Sequence, residues 1–405
     1  MSTSTDLEAL YDTMCDRGVV HIANMDLQVH HSSLRGLKDK SEDRIVVREF
    51  DLGVLIAVFD GHYTDELSDY AAGVLPQQLC DRICTNASRN GFEDLSAAVE
   101  EALVKGIEDF DASLIDEVVQ LFPEGSATDW ADSFWDDTGE IFEIIGYSKE
   151  DPRFRAARRA VVGTTVLVGF VDKEKQNIWV ASLGDSEALL GRIVDGNLQH
   201  VPLNQLHNAS NSEEVARMQA EHADEPSPVW NQSTLGQLSI TRALGDHPLK
   251  VDLDLAQKIL PYAYPSYIVG KDVEDWKKRG HMHPPYISST PTVQRHALLP
   301  EDLLVFASDG LRCALERYHG AEDKGETMIT LSGAHVFSAA SMVPSSSQFG
   351  HDLIAPRADQ NIADIIIRNS LFGTDRGKAL AELTLCDDTS GHYRDDMSVV
   401  VMHLD

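Results

Sequence analysis

The sequence predicts an α+β fold in which two antiparallel sheets pack face to face between helices. Two observations support it: short apolar runs recur along the chain, and helical patterns lie between them. Two facing sheets would bury the apolar sides of these runs. The predicted strands are residues 45–50, 53–59, 161–171, 178–183, 188–193, 238–242, 303–307 and 397–404.

The predicted helices are amphipathic. In the longest pattern, apolar residues recur at spacings of three and four from Phe92 to Ile107, which indicates one buried face. A shorter pattern spans Leu67 to Val74, just before Pro76, and another starts at Ile362. Strands flanked by such helices fit a four-layer α/β/β/α sandwich.

The 405 residues are expected to form one domain, 1–405, with three additions. Residues 111–152 are acidic but rich in aromatics and predict a docked helical insertion. Residues 203–290 form a flap-like region, and the Ser- and Pro-rich residues 338–358 predict a surface loop. The basic run Arg153, Arg155, Arg158 and Arg159 is either an exposed helix paired with the acidic insertion or a docking patch for phosphopeptides.

The charge of the chain disfavours two classes of partner. It contains 34 Lys and Arg against 66 Asp and Glu, a formal net charge of −32. Nucleic-acid affinity depends mainly on Lys and Arg, and anionic membranes attract the same residues. No apolar run approaches the roughly 20 residues of a membrane span. We therefore expect neither nucleic acid nor a membrane as a partner.

Cysteine usage and the first residues bear on the compartment. The five cysteines are scattered without CxxC spacing, which disfavours a disulfide framework and suits a reducing environment. Residues 1–16 contain four acids and no Lys or Arg, unlike an Arg-rich transit peptide. We therefore expect a cytoplasmic or nuclear protein rather than a mitochondrial one.

Three carboxylates stand at the edges of apolar runs. Asp60 and Asp309 each follow a run, and Asp395 precedes one. Mg²⁺ and Mn²⁺ prefer oxygen ligands, and a rigid sheet edge fixes such ligands well. The sequence therefore predicts a metal-dependent hydrolase with its metal site at one sheet edge.

The motifs of the chain, in their order, resemble the type 2C metal-dependent Ser/Thr protein phosphatases. Features such as Leu206-His207-Asn208-Ala209 and the doubled Asp395-Asp396 resemble the pyruvate dehydrogenase phosphatase branch of that family most closely. The motifs that carry the family resemblance are Ser41-Glu42-Asp43-Arg44, Phe59-Asp60-Gly61-His62, Val162-Gly163-Thr164-Thr165, Leu183-Gly184-Asp185-Ser186, Thr241-Arg242-Ala243-Leu244-Gly245-Asp246, Ala307-Ser308-Asp309-Gly310 and Arg394-Asp395-Asp396-Met397.

The resemblance implies hydrolysis of phosphoserine and phosphothreonine in proteins by a hydroxide held on two Mg²⁺ or Mn²⁺ ions. It implies that Asp60 bridges both ions and that the Gly61 carbonyl is a further ligand, while Asp309 and Asp395 hold one ion.

The remaining site residues follow from the same resemblance. Glu42 and Asp43 would hold waters on the ions, with a strand-end turn as the alternative for Asp43. His62 would protonate the leaving oxygen. Lys38 stands where many members have an arginine that grips phosphate, although Lys40 is an alternative because the segment gives no unique alignment.

Several positions depart from the family pattern or are ambiguous. Tyr63 and Thr64 replace two glycines, and Cys313 replaces an acidic residue that binds a further ion. Asp185 is expected either near the metal centre or as the cap of a turn. Arg242 and Asp246 are expected to form a structural ion pair beside the site.

Two other functions remain open from the sequence. One is a non-catalytic pseudophosphatase that acts as a regulatory binding module; the other is a phosphatase of a small phosphometabolite. Retention of Asp60, Asp309, Asp395 and His62 together favours an enzyme over a binding module. We expect a phosphoprotein substrate and a monomer.

Overall fold

The computed structural model describes residues 7–90, 95–122, 138–258, 260–263, 268, 270–320, 323–337, 349–355, 357, 360–384 and 394–404. The strands in this part of the chain are β1 (Cys15–Ile22), β2 (Leu27–Leu34), β3 (Arg44–Phe50), β4 (Gly53–Phe59), β5 (Gly61–His62), β6 (Gly163–Thr164), β7 (Val166–Asp172), β8 (Asn177–Leu183), β9 (Glu187–Val194), β10 (Asn197–Pro202), β11 (Val229–Trp230), β12 (Ser233–Thr234), β13 (Leu244–Gly245), β14 (Thr292–Ala297), β15 (Leu303–Ala307) and β16 (Met397–His403).

Helices connect and cover these strands. The α-helices in the described residues are α1 (Leu7–Asp12), α2 (Glu66–Asn90), α3 (Leu95–Val119), α4 (Thr138–Ile145), α5 (Pro152–Val161), α6 (Ser212–Glu221), α7 (Leu253–Lys258), α8 (Gly270–Arg279), α9 (Asp309–His319), α10 (Lys324–Val336), α11 (Ile362–Leu371) and α12 (Arg376–Leu383). No described helix is both long and apolar enough to cross a membrane.

Two large antiparallel sheets form the centre of the molecule. The six-stranded sheet has the order β1-β2-β16-β15-β9-β10, and the five-stranded sheet has the order β14-β8-β7-β4-β3. A small third sheet, β13-β6-β5, stands beside them. Strand β16 pairs with β2 on one side and β15 on the other, so the last described strand of the chain occupies the middle of its sheet.

Strand β4 shows how the layers are formed. Every residue of this strand is buried. Val54, Ile56 and Val58 pack in the core between the two large sheets, whereas Leu55 and Phe59 pack under α2 and α3. A strand buried on both faces needs a continuous apolar run, which is what residues 53–59 provide.

The opposite side of the molecule repeats this arrangement. Val305 and Val399 face a core formed with α9, α10, α11 and α12, whereas Leu304 and Val400 face the other sheet. The layers are therefore helix, sheet, sheet and helix, and the predicted α+β sandwich is confirmed.

Several element boundaries differ from the predictions. Residues 238–242 form isolated bridges rather than a strand, and the predicted strand at 161–171 starts as the end of α5. Helix α2 continues through Pro76, because Leu75 and Leu79 beside it pack into the core. Helix α3 continues through Asp111 to Val119, so the first part of the 111–152 segment belongs to a core helix.

The three predicted additions are described to different extents. Residues 203–290 have a small core of their own, to which Ile240, Trp276 and Tyr286 contribute. Residues 123–137 of the insertion and most of 338–358 lie outside the described residues. The single-domain organisation stays a prediction.

Candidate active site

The ends of three strands carry the three predicted carboxylates to the same edge of the sandwich. Asp60 directly follows β4 of the five-stranded sheet. Asp309 starts α9, two residues after β15 ends at Ala307, and Asp395 stands two residues before β16. Since β15 and β16 are antiparallel neighbours, with Ala307 opposite Val399, the end of one lies beside the start of the other.

Short backbone contacts fix these positions. The Asp60 amide donates to Thr165 Oγ1 (3.2 Å), and the Thr165 amide donates to the Asp60 carbonyl (2.8 Å). The Gly61 amide donates to the Glu42 carbonyl (3.2 Å). A Cβ on Gly310 would lie 1.9 Å from the Asp396 carbonyl oxygen, so only glycine allows α9 to start this close to β16.

The carboxyl groups at this edge repel one another. Burial, followed by the charges of Asp43, Asp309 and Asp395, raises the pKa of Asp60 well above its usual 3.8. Burial, followed by Asp185 and Asp395, likewise raises the pKa of Asp309, although a hydrogen bond with Asp60 partly offsets this. These shifts require that the side chains lie close enough to act on one another. The structure therefore brings together Asp43, Asp60, Asp185, Asp309 and Asp395.

The carboxyl group of Asp43 is deeply buried at this acidic edge, and the residue is 3% exposed. Burial and then the charge of Asp396 raise its pKa to about 7, although the hydroxyl groups of Ser308 and Ser398 offset part of this rise. A buried acid among other acids is stabilised by a bound cation or its waters, or by a proton.

The acidic edge has the chemistry of a site for hard divalent cations. In the described part of the chain, no three His, Cys, Asp or Glu side chains stand in an arrangement that would hold a metal ion as it is. The donors are nevertheless carboxylates, which Mg²⁺ and Mn²⁺ prefer, and their repulsion would be relieved by positive charge. The residues therefore fit a cation by donor type and charge.

His62 is held by a residue from a distant part of the chain. Its strand β5 pairs with β6, which pairs with β13, and this brings its Nε2 to 2.9 Å from Asp246 Oδ2. Burial lowers the pKa of His62, but the charge and hydrogen bond of Asp246, together with the charges of Glu42 and Asp185, outweigh it and raise that pKa above the usual 6.5. A Cβ on Gly163 would lie 2.1 Å from His62 Nε2, which explains the glycine there.

The predicted ion pair between Arg242 and Asp246 is wrong. Arg242 binds Glu214 instead, with its Nη2 2.5 Å from Oε1, and Glu214 also accepts from Arg217 (2.9 Å) and from the Thr241 hydroxyl (2.8 Å). Burial is outweighed by these donors, so the pKa of Glu214 falls below its usual 4.5. Asp246 pairs with His62 instead, a contact that the sequence did not predict.

The loop that carries Lys38 is tied to the far end of the chain. The Asp396 carboxylate accepts from the amides of Gly36 and Glu42, both at 2.6 Å. Lys38 contacts the Glu42 carboxylate, and its side chain is 40% exposed. Asp396 is thus a second residue that the sequence reading missed; the signal was the doubled Asp395-Asp396.

Comparison with known proteins assigns this arrangement to a family. The family model of protein phosphatase 2C matches residues 27–317. The chain belongs to the protein phosphatase 2C family.

Curated members of the family share moderate identity with this chain. It is 30% identical over 262 residues to human "[Pyruvate dehydrogenase [acetyl-transferring]]-phosphatase 1, mitochondrial", a match that covers 60% of this chain and 48% of that protein. It is 28% identical over 251 residues to a protein phosphatase 2C homologue of Schizosaccharomyces pombe, covering 61% and 54%. The chain therefore spans about half the length of these relatives.

Solved structures support the fold. A serine-threonine phosphatase 2C from Toxoplasma gondii aligns with a TM-score of 0.55 at 14% identity and covers 96% of this chain and 99% of that one. A C. elegans sex determining protein aligns with a TM-score of 0.50 at 19% identity, covering 94% and 65%.

One departure from the protein phosphatase 2C pattern lies next to the acidic edge. Cys313, together with Asp185 and Asp309, lines a groove of about 670 Å³. Burial, followed by the charges of Asp309, Asp395 and Asp185, raises the pKa of Cys313 to about 12. The cysteine is thus a neutral thiol within electrostatic range of the acids, at the place where the family pattern has a carboxylate.

Proposed function

We propose that this chain is a metal-dependent phosphatase that hydrolyses phosphoserine and phosphothreonine in proteins. The observation that carries the proposal is the convergence of Asp60, Asp309 and Asp395, from three distant parts of the chain, beside a histidine held by its own carboxylate. A binding module has no need of this combination, because buried like charges destabilise the fold.

The predicted ligands divide by position. Asp60, the Gly61 carbonyl, Asp309 and Asp395 would hold two Mg²⁺ or Mn²⁺ ions, with Glu42 and Asp43 orienting their waters. When bound, the ions neutralise charge on the phosphate ester and supply a nucleophile near neutral pH. The buried charge of Asp43 would then be compensated.

His62 and Lys38 act on the phosphate ester itself. Asp246 orients the imidazole through Nε2 and raises its pKa, so more of the imidazolium form persists near neutral pH. That form can protonate the leaving serine or threonine oxygen. Lys38 is partly exposed beside Glu42 and would attract the phosphate as a point charge.

The direct test is phosphate release from a phosphothreonine peptide by the whole chain. We expect release with Mn²⁺ and none with chelator. Absence of release from both a peptide and a small phosphate ester would favour the pseudophosphatase. A small ester hydrolysed with a kcat/KM at least about a hundredfold above that of every peptide, roughly 2.7 kcal/mol, would favour a metabolite phosphatase.

Compartment and assembly remain part of the proposal. The described cysteines Cys15, Cys80, Cys84 and Cys313 are free thiols, which suits the cytoplasm or nucleus. We expect a monomer with no nucleic-acid or membrane partner. Imaging of a C-terminal fluorescent fusion and light scattering of the purified protein test these two points.

A further inference from the structure

A groove lined by cations adjoins the candidate active site. Its volume is about 490 Å³, and its positive side chains come from the loop before β3, the loop after α4 and helix α5. We call it the cation groove; its cations are Lys40, Lys149, Arg155, Arg158 and Arg159. Five cations around one groove stand out in a chain whose net charge is −32.

Two of these cations are built into the wall. Arg158 is 2% exposed and contacts the Glu66 carboxylate of α2. Arg159 bonds Glu117 (2.8 Å), and its guanidinium lies 4.1 Å from the centre of the Tyr70 ring. The predicted pairing with residues 111–152 therefore holds for Arg159, through Glu117, whereas Arg158 is buried rather than exposed and pairs with Glu66 outside that segment. Both guanidinium groups have fixed positions.

The carboxylates that line the groove already have cation partners. Besides Glu66 they are Asp65 and Asp69, and both of these bind Arg44, at 3.2 and 2.9 Å. Asp65 also lies 3.7 Å from Lys40 Nζ. None of the three leaves an uncompensated negative charge in the groove.

Lys149 and Arg155 are the uncommitted charges. Both are exposed, and within the described ranges neither forms an ion pair. Their charges act on the exposed Glu150 only from a distance. An anion entering the groove would therefore meet two available cations in front of two fixed guanidinium groups.

The groove shares its rim with the candidate active site. Lys40 stands two residues before Glu42, and Thr64 stands two residues after His62. Tyr63, which lies between His62 and Thr64 in the sequence, is 44% exposed. A peptide whose phosphorylated residue reaches His62 would therefore pass the groove with a neighbouring side chain.

We infer that the cation groove binds a second anionic group of the phosphoprotein substrate, a carboxylate or a second phosphate near the phosphate to be removed. The inference rests on the proposed function and adds a sequence preference to it. The exposed guanidinium of Arg155 can bond such an oxyanion with two parallel hydrogen bonds, and Lys149 supplies a point charge. The paired Arg158 and Arg159 fix the wall of the groove next to them. A nucleic acid would suffer repulsion from the acidic remainder of the chain.

The test compares three phosphothreonine peptides of equal length, with neutral flanks, with glutamates, or with a second phosphoserine. For the unaltered chain we expect a KM about three- to tenfold lower for the two acidic peptides, at unchanged kcat. The double variant Lys149→Gln/Arg155→Gln should lose this preference and leave the neutral peptide unaffected. No preference in the unaltered chain, or a preference that survives in the variant, would overturn the inference.

A matched control removes one Arg and one Lys elsewhere. Arg89 stands at the far end of α2 and Lys173 just beyond the far end of β7, and both are exposed. Arg89→Gln/Lys173→Gln should keep the preference; its loss there would assign the effect to the general field of the protein and overturn the groove.

A binding measurement separates failure of the groove from failure of the proposed function. Fluorescence anisotropy with non-hydrolysable phosphonate versions of the same peptides, in chelator, does not depend on turnover. If no peptide is hydrolysed, the proposed function fails, whereas tighter binding of the acidic peptides that is lost in the Lys149→Gln/Arg155→Gln variant still supports the groove. Equal binding of all three peptides overturns the groove alone.

Discussion

Two carboxylates, the half-buried Asp60 at the acidic edge and the buried Glu214 in residues 203–290, are treated in opposite ways by the same fold. The neighbours of Asp60 include other acids, and its pKa is raised. Glu214 meets two guanidinium groups and a hydroxyl, and its pKa is lowered. Burial alone would raise both pKa values, so the difference comes from the partners.

The comparison distinguishes a ligand-binding site from a cluster of charged residues that only supports the fold. Glu214 is satisfied within the chain and holds Arg242 and α6 in place. The acids at the edge instead repel one another, which destabilises the folded chain unless positive charge enters from outside. Unrelieved repulsion therefore marks the place where a ligand is required, and four predictions test the contrast.

The largest effect is expected for Asp60→Asn. A neutral amide cannot balance two divalent ions, so phosphatase activity should fall by about three orders of magnitude, roughly 4 kcal/mol in barrier. In chelator the thermal midpoint should stay unchanged or rise, because one repelling charge is gone. Steady-state kinetics and thermal melts measure both, with the exposed Asp16→Asn as control. Activity within about tenfold, roughly 1.4 kcal/mol, would contradict the role of Asp60.

Glu214→Gln should act on stability instead. The change leaves Arg242 buried without its counter-charge, and we expect a loss of about 3 kcal/mol in the free energy of unfolding, measured with urea. Glu213→Gln alters the exposed neighbour on the same helix and should change stability by less than about 0.5 kcal/mol. Equal effects of the two substitutions would show that the buried cluster is not a support.

The pH dependence should have opposite signs in the two regions. Acids with raised pKa hold protons that the unfolded chain has lost, so in chelator their contribution to stability falls as pH rises from the usual pKa of 3.8 through about 7. Glu214, with its lowered pKa, loses its contribution only as pH falls below its usual 4.5.

Added Mn²⁺ tests the acidic-edge part of this expectation. It should raise the thermal midpoint by roughly 3–6 °C at pH 7.5 and by less at pH 5.5, where protons compete with the metal. Differential scanning fluorimetry at both pH values gives the answer. A shift of equal size at both would count against the acidic edge as the binding place.

The smallest effect is expected for Cys313→Asp. A carboxylate next to Asp185 and Asp309 supplies another hard oxygen ligand and should move the Mn²⁺ dependence of activity about two- to fivefold lower in concentration. Cys84→Asp, in α2, is the control. Superimposable Mn²⁺ titrations of the unaltered chain and Cys313→Asp would mean that position 313, which is exposed in the groove, takes no part in metal binding.

The sequence located strands with short, continuous apolar runs better than strands that contain polar residues. Strands β4 and β15 start and end at the predicted residues, because strands buried on both faces have continuous apolar runs. Strand β2 was not predicted, since Leu27–Leu34 contains His30, His31, Ser32 and Ser33 and is stabilised by β1 and β16 on either side. Such pairing has no local signal.

The residues of the candidate site could likewise be predicted only where a local sequence pattern marks them. Asp60, Asp309 and Asp395 were found because each stands at the end of an apolar run, a local pattern. The partnership of His62 with Asp246 joins residues 184 positions apart, and that of Asp396 with Gly36 joins residues 360 apart. Long-range contacts of this kind are set by the topology of the sheets, which a single sequence does not contain.

The central position of β16 has a consequence for synthesis on the ribosome. Strands β2 and β15 are both made long before the strand that joins them, and Asp395 and Asp396 emerge with that late strand. The β1–β2 hairpin therefore keeps the free edge of β2 unpaired until residues 397–403 leave the exit tunnel. Nascent chains should consequently be unable to complete the acidic edge until Asp395 and residues 397–403 have been made.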